Sequence, residues 1–70
     1  MTIDEWVLWK VGESGPIAAG VLLVAAEDSR IISSREWRKV DRALQRLRRR
    51  GRIWYSRRLG GWKVMPEVPA

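Results

Sequence analysis

A block of positive charge interleaved with indole rings fills the second half of this chain. Between residues 33 and 64, nearly half of the side chains are Arg, Lys or Trp, in the run SSREWRKVDRALQRLRRRGRIWYSRRLGGWKV. A guanidinium group offers a rigid fork of donors that matches phosphate oxygens, and its binding to a polyanion releases condensed counterions. The chain has eleven Arg and three Lys, which fits that preference. The chemistry that this block suits is noncovalent binding of phosphates.

The residue types needed for most enzymatic chemistry are missing. The chain has no Cys and no His, which removes the thiolate and the imidazole as general base, nucleophile or metal ligand. It also has neither a P-loop nor a nucleotide-binding glycine pattern. The carboxylates Asp4, Glu5 and Glu13 are typical of helix caps and surface groups rather than of a paired catalytic site. We therefore expect a protein that is not an enzyme and that uses no metal or other cofactor.

The charges are divided unevenly along the chain. The formal net charge is +6, but residues 1 to 29 carry −4 and residues 30 to 65 carry +11. This asymmetry is expected of a protein whose second half contacts a polyanion. The longest uncharged run, Ser14 to Ala26, is shorter than the roughly 20 residues that span a bilayer. We expect a full-length cytoplasmic or nucleoid-associated protein, with no secretory signal and no membrane partner.

Three helices and a hairpin must position the cationic residues. The length fits one domain, at residues 1 to 65, followed by a flexible C-terminal tail at 66 to 70. The spacing of apolar residues predicts three helices, over about residues 3 to 13, 16 to 28 and 34 to 50. Beyond Gly51 the period falls to two, which predicts strands at 52 to 56 and 61 to 65. The predicted fold class is α+β, three helices followed by a C-terminal β-hairpin.

Capping boxes mark the starts of the first and third helices. Thr2 with Glu5, and Ser33 with Glu36, have the spacing at which each side chain satisfies a backbone N–H of the first helical turn. The second predicted helix has apolar residues on all sides, in the run IAAGVLLVAAE. We therefore expect it to be buried on most sides, in the middle of the domain.

The third predicted helix has two faces of opposite character. At 100° per residue, its apolar side chains fall within an arc of about 80° and form a core stripe of Trp37, Val40, Leu44 and Leu47. The far side carries almost one sign of charge, from Arg35, Arg38, Arg42, Arg46 and Arg49, with Gln45 among them and Lys39 at the margin. Like charges at i, i+4 destabilise a free helix by about a few tenths of a kcal/mol per pair. An external anion is therefore expected, although a charged face that only keeps the domain soluble is the plainer alternative.

The aromatic residues divide between the core and the surface. Trp6, Trp37 and Trp62 are expected in the core, and alternation places Ile53, Tyr55, Trp62 and Val64 on the inner face of the hairpin. Trp54 is expected to point outward beside Arg57 and Arg58, where either base stacking or contact with a partner subunit suits it. If the protein is a homodimer, the candidate surface comprises Val7, Leu8, Trp9 and Trp54.

The order of elements resembles the winged-helix family of DNA-binding domains. The segment RALQRLRRRGRI is similar to the end of a recognition helix that runs into the first wing strand, and GWKV is similar to the returning strand. The resemblance covers about residues 2 to 65, although the connection between the second and third helices is longer than is typical. In this family the third helix enters the major groove and the wing contacts the backbone or the minor groove. The resemblance implies DNA contacts from Ser34, Arg35, Arg38, Lys39, Arg42, Arg46, Arg49, Arg57 and Arg58.

We therefore expect a small protein that binds double-stranded DNA and regulates transcription, with affinity from phosphate contacts and specificity from a few side chains at the helix start. Two alternatives stay open. Arginine-rich helices also suit RNA, so an RNA-binding module is the first. A protein-interaction domain or inhibitor that grips an acidic partner with the basic face is the second.

Overall fold

A computed structural model describes residues 2 to 65, which form three helices followed by an antiparallel two-stranded hairpin. The elements are α1 (Ile3–Ser14), α2 (Ala19–Asp28), α3 (Trp37–Arg49), β1 (Ile53–Ser56) and β2 (Gly61–Val64). This is the α+β arrangement that the sequence predicts. The predicted tail, residues 66 to 70, lies outside the described residues.

The Thr2 half of the capping box predicted at the start of α1 is confirmed, whereas the Glu5 carboxylate accepts from the Thr2 hydroxyl instead of the predicted Thr2 backbone N–H. The Glu5 N–H donates to the Thr2 hydroxyl oxygen at 3.1 Å, and that hydroxyl donates to the Glu5 carboxylate at 3.2 Å. One face of α1 is buried through Trp6, Val7 and Val11. Val7 is therefore a core residue, and the expectation that it contributes to a dimer surface is wrong.

The second helix lies at the surface, contrary to the prediction that it is buried on most sides. Only Leu22 and Ala26 of α2 are buried, whereas Val21 and Val24 are 59% and 58% exposed. A chain of this size has too little material to cover a helix all round. One side of α2 therefore packs against α1 and α3, and the other side faces solvent.

Ile17 pairs with the hairpin instead of continuing α2 toward Pro16. The Ile17 N–H donates to the Trp62 carbonyl at 3.1 Å, and the Trp62 N–H donates to the Ile17 carbonyl at 2.8 Å. Gly61 allows this approach, because a Cβ at that position would lie 2.6 Å from the Ile17 nitrogen. The hairpin is thus anchored along β2 to the segment between α1 and α2.

The two strands have the register in which Ile53 lies opposite Val64 and Tyr55 opposite Trp62. These four residues share one face, as predicted, but only Ile53 and Trp62 are buried. The Tyr55 ring lies edge-on to Trp62, with ring centroids 5.4 Å apart, and is 48% exposed. Tyr55 and Val64 lie at the edge of the core rather than within it, so the inner face predicted for the hairpin is buried only at Ile53 and Trp62.

The core lies where the three helices and the hairpin meet, and its most completely buried side chains are Leu22, Leu44, Ile53, Val7, Val11 and Val40. Among residues 2 to 65, no helix combines the length and the apolar character that crossing a bilayer requires.

Candidate nucleic-acid interface

The third helix begins at Trp37, three residues later than predicted. Residues 33 to 36 form a turn in which the Glu36 N–H donates to the Ser33 carbonyl and the Ser33 N–H donates to the Glu36 carboxylate, both at 3.0 Å. The predicted contact between Ser33 and Glu36 therefore forms, but it stabilises a turn ahead of the helix, with Glu36 as the N-cap residue. Ser34 and Arg35 are exposed in this turn and do not belong to the helix.

The buried side of α3 comprises Val40, Ala43, Leu44 and Leu47. Trp37, which the sequence places in the core stripe, is 51% exposed, and that prediction is wrong. Ala43 is fully buried instead of Trp37. At 100° per residue, the centre of the observed buried side is therefore rotated by about 30° from the centre of the predicted stripe. The helices α1 and α3 pack against each other, and Trp37 lies beside Ala19 and Leu23 of α2 at the start of α3.

Three arginines project from the opposite side of α3. Arg38, Arg42 and Arg49, here called the basic face, lie with Gln45 within an arc of about 60°. All three are exposed, and none is within ion-pair distance of a carboxylate in residues 2 to 65. The separation of an apolar side and a cationic side, predicted from the sequence, is therefore present at these positions.

Two other predicted contact residues are paired with carboxylates inside the chain. The Arg46 guanidinium donates to both oxygens of Asp4, from Nε at 2.9 Å and from Nη2 at 2.6 Å. The Lys39 ammonium pairs with the Glu36 carboxylate. The exposed surface of α3 is therefore less uniformly cationic than the sequence suggests, and its flank toward α1 is largely compensated.

The pairs shift the pKa values of their members. The hydrogen bond from Arg46 lowers the pKa of Asp4 below its usual 3.8, opposed by partial burial and assisted by the charges of Arg46 and Arg50. The same hydrogen bond raises the pKa of Arg46. Lys39, and then the Ser33 backbone N–H, lower the pKa of Glu36 well below its usual range. Both carboxylates are therefore ionised at neutral pH, and both pairs persist there.

A groove of about 650 Å³ separates α3 from the hairpin. It combines aromatic rings, guanidinium groups and an amide, and its lining residues are Gln45, Arg48, Trp54, Tyr55, Arg57 and Trp62. Trp54 is 39% exposed, so its ring offers a stacking surface. We call this feature the aromatic groove.

Sequence reasoning places Trp54 and Arg57 at this surface but misses Gln45, Arg48 and Tyr55 as their neighbours. Gln45 and Arg48 are three residues apart, so they share the flank of α3 that faces the hairpin. The chain reverses direction at Gly51, whose φ is 71°, and this places β1 beside the same flank of α3. A glycine directly after the helix is the sequence feature that predicts such a reversal.

A second groove, of about 330 Å³, separates α2 from α3, and Trp37, Arg38, Asp41 and Arg42 lie along its α3 side. Among the described residues the Asp41 carboxylate forms an ion pair with neither Arg48 nor Lys10, and the Lys10 ammonium lies 5.7 Å from the Trp9 ring centroid. The two grooves border the same edge of the basic face, one along the first half of α3 and the other along the second. The α2 groove contains a single carboxylate, that of Asp41.

Buried Ser56 holds the hairpin turn that carries Arg57 and Arg58. Its hydroxyl accepts from the Leu59 N–H at 3.1 Å and its carbonyl accepts from the Gly60 N–H at 2.8 Å. Both arginines are exposed, and Arg57 reaches the aromatic groove beside Gln45. The turn therefore places cationic charge next to the basic face.

Comparisons with known protein families, with characterised proteins and with solved structures found no match to this chain. Within residues 2 to 65, no group of three or more His, Cys, Asp or Glu side chains is arranged to hold a metal ion.

Proposed function

We propose that this protein is a winged-helix domain that binds double-stranded DNA with α3 in the major groove and regulates transcription. The observation that carries the proposal is the basic face, where Arg38, Arg42 and Arg49 lie on one exposed side of a helix with no carboxylate partner in the described residues. A helix with its side chains is about 10 to 12 Å across, and the major groove is about 12 Å wide. One sign of charge on one side of such a helix suits a groove lined by phosphates.

The position of each residue suggests its role. Arg38 and Arg42 lie in the first half of α3 and are proposed to contact base edges, where arginine pairs with guanine through two hydrogen bonds. Arg49 lies in the last turn and is proposed to contact phosphate. Arg57 and Arg58, at the hairpin turn, are proposed to contact the backbone beside the groove.

The turn before α3 and the compensated flank have smaller proposed roles. Ser34 and Arg35 are exposed in that turn and are proposed to contact a phosphate at the helix start. Lys39 and Arg46 are paired with Glu36 and Asp4, so their net attraction for DNA is reduced. Specificity on this proposal comes mainly from Arg38 and Arg42.

Single-stranded RNA is the second candidate ligand, and the aromatic groove is the observation that favours it. Bases of an unpaired strand stack on exposed aromatic rings while arginines contact the backbone. Trp54, Tyr55, Arg48 and Arg57 line one groove that offers both kinds of contact.

Fluorescence anisotropy over a series of salt concentrations tests the proposal. Of the ten arginines outside the two ion pairs, the five at positions 35, 48, 49, 57 and 58 lie beside the proposed groove without a base-edge role and would neutralise about five phosphates. On a labelled duplex, log K should then fall with log salt at a slope of about −4 to −5. A slope near zero, or no binding at low salt, excludes nucleic acid as the ligand and leaves an acidic protein partner.

Two further measurements separate the remaining candidates. Competition between duplex DNA and RNA of equal length distinguishes the two nucleic acids, since the RNA should compete poorly if the proposal holds. Selection from a random duplex pool then shows whether a defined motif is recognised, as a transcriptional regulator requires. Duplexes that bind without any enriched motif would indicate an architectural role instead.

A further inference from the structure

The exposed side of α2 is an apolar stripe with a small residue at one end. Gly20, Val21 and Val24 lie on the side opposite buried Leu22 and Ala26, and all three are exposed. Glu27 and Asp28 continue the same side at the end of the helix. An added Cβ at Gly20 would meet nothing within 4 Å, so packing within the chain does not explain a poor helix former at this position.

The C-terminal end of α2 is closed by a capping motif, in which the Arg30 and Ile31 N–H groups donate to the Glu27 and Ala26 carbonyls, both at 3.0 Å. The N-terminal end has no such cap, and the acids of the last turn are unfavourably placed. The N-cap residue is Ala18, which has no side chain able to accept from the first-turn N–H groups. The last turn contains Glu27 and Asp28 and no basic residue, although the helix dipole favours cations there. The positive end is thus uncapped, and the negative end carries two carboxylates.

We propose that a second copy of this chain packs antiparallel against α2 to form a homodimer. Antiparallel pairing that places Val21 of one copy against Val24 of the other also places Glu27 beside Ala18 of the opposite copy. The carboxylate of each copy then lies at the uncapped positive end of the other helix. One register therefore accounts for the exposed valines, the missing N-cap and the misplaced acids.

Gly20 fits the same arrangement. Its lack of a side chain lets two helices approach closely where they cross, as small residues do at other helix contacts. A twofold interface also needs a self-complementary surface, and α2 has that property because its charge pattern reverses from end to end. The exposed Trp9 on α1 has no comparable pairing of opposite charges along its helix.

The dimer should be weak. Ten residues of helix are about 15 Å long, so the contact is smaller than a standard interface, and dissociation in the range of about 10 to 100 µM is expected. Neither the stripe nor its charges belong to the basic face, so the proposal does not depend on DNA binding.

Sedimentation equilibrium from about 5 µM to 1 mM, without nucleic acid, tests the proposal across the expected dissociation range. The apparent mass should rise from 8.1 kDa toward twice that value. Val24→Lys should remain monomeric over the whole range, with unchanged circular dichroism because the side chain is exposed. The matched control, Trp9→Lys, introduces the same charge on another exposed apolar residue and should dimerise like the parent chain.

Cross-linking provides a measurement that does not depend on a disruptive substitution. The chain contains no Cys, so an equal mixture of the single variants Val21→Cys and Val24→Cys has one thiol per chain and cannot form an intrachain disulfide. Mild oxidation should give a covalent dimer of the two variants at concentrations where Trp9→Cys gives much less. A parent chain that stays at 8.1 kDa, or a Val24→Lys variant that dimerises normally, overturns the proposal. Loss of dimerisation in Trp9→Lys would also overturn it, because the interface would then lie on α1.

Discussion

Arg46 holds Asp4 by two hydrogen bonds across 42 positions of sequence, and this pair joins α3 to the first turn of α1. Asp4 also lies where the dipole of α1 favours a negative charge. A charge predicted to face a ligand is thus engaged within the fold. The pair is half-exposed, so its contribution to stability is modest.

Replacing Asp4→Asn should lower the free energy of unfolding by up to about 1 kcal/mol at pH 7, in the range of partly exposed ion pairs. Because folding lowers the pKa of Asp4 below 3.8, the stabilisation is fully present above that value and is lost as pH falls through the lower, folded pKa. Urea unfolding at pH 7, 5 and 3 measures the free energy of unfolding of both proteins. The parent chain and Asp4→Asn should differ less in this free energy at pH 3 than at pH 7. A control, Glu13→Gln, should behave like the parent chain. A difference that stays constant with pH would contradict this account of the pair.

Replacing Arg49→Gln should weaken duplex binding by about tenfold and reduce the magnitude of the salt slope by about 1, because Arg49 belongs to the basic face and is proposed to contact phosphate. Arg50→Gln removes the same charge from the next position, which lies on the flank toward Asp4 and Glu5. Its effect should be smaller than about threefold, since that charge is distant from the proposed groove and screened. Anisotropy titrations of both variants at several salt concentrations make the comparison. Equal losses would indicate that net charge, and not the basic face, determines affinity.

Replacing Trp54→Leu should weaken nucleic-acid binding by about 1 kcal/mol without changing the salt slope, because stacking involves no counterion. Trp9→Leu is the matched control, since Trp9 is also an exposed indole, at 54%, but lies on α1. Titrations with duplex DNA and with single-stranded RNA should be run in parallel. If the loss appears only with RNA, the second candidate ligand is favoured. If neither ligand is affected, the aromatic groove has no part in binding.

Replacing Gly61→Ala should destabilise the domain by about 1 to 3 kcal/mol, the range for forcing a side chain into a packed site. The added Cβ would lie 2.6 Å from the Ile17 nitrogen and 2.9 Å from the Pro16 carbonyl carbon, so the bridge between Ile17 and Trp62 must open. Gly12→Ala is the control, because its Cβ would meet only the Val64 side chain, at 3.4 Å. Thermal unfolding gives the stability of both variants. Hydrogen exchange of the Trp62 backbone amide reports directly on its hydrogen bond to Ile17. A Gly61→Ala protein as stable as the control would show that the bridge does not hold the hairpin.

The sequence by itself determined which elements form and in what order. The Thr2 cap, the Gly51 reversal and the change of period after α3 each depend on neighbours within about four residues, so they can be read without knowing the packing. The same is true of the two sides of α3, since Arg38 and Arg42 are placed opposite Val40 and Leu44 by helical geometry alone.

Only the tertiary structure decided which of those side chains are available at the surface. Trp37 is exposed because the buried side of α3 is centred away from it, between Ala43 and Leu44, and α2 is partly exposed because so small a domain cannot cover it. Arg46 meets Asp4, and Arg48 meets the hairpin, through contacts between segments far apart in the chain. No local pattern encodes such contacts, because they depend on the angles at which helices pack.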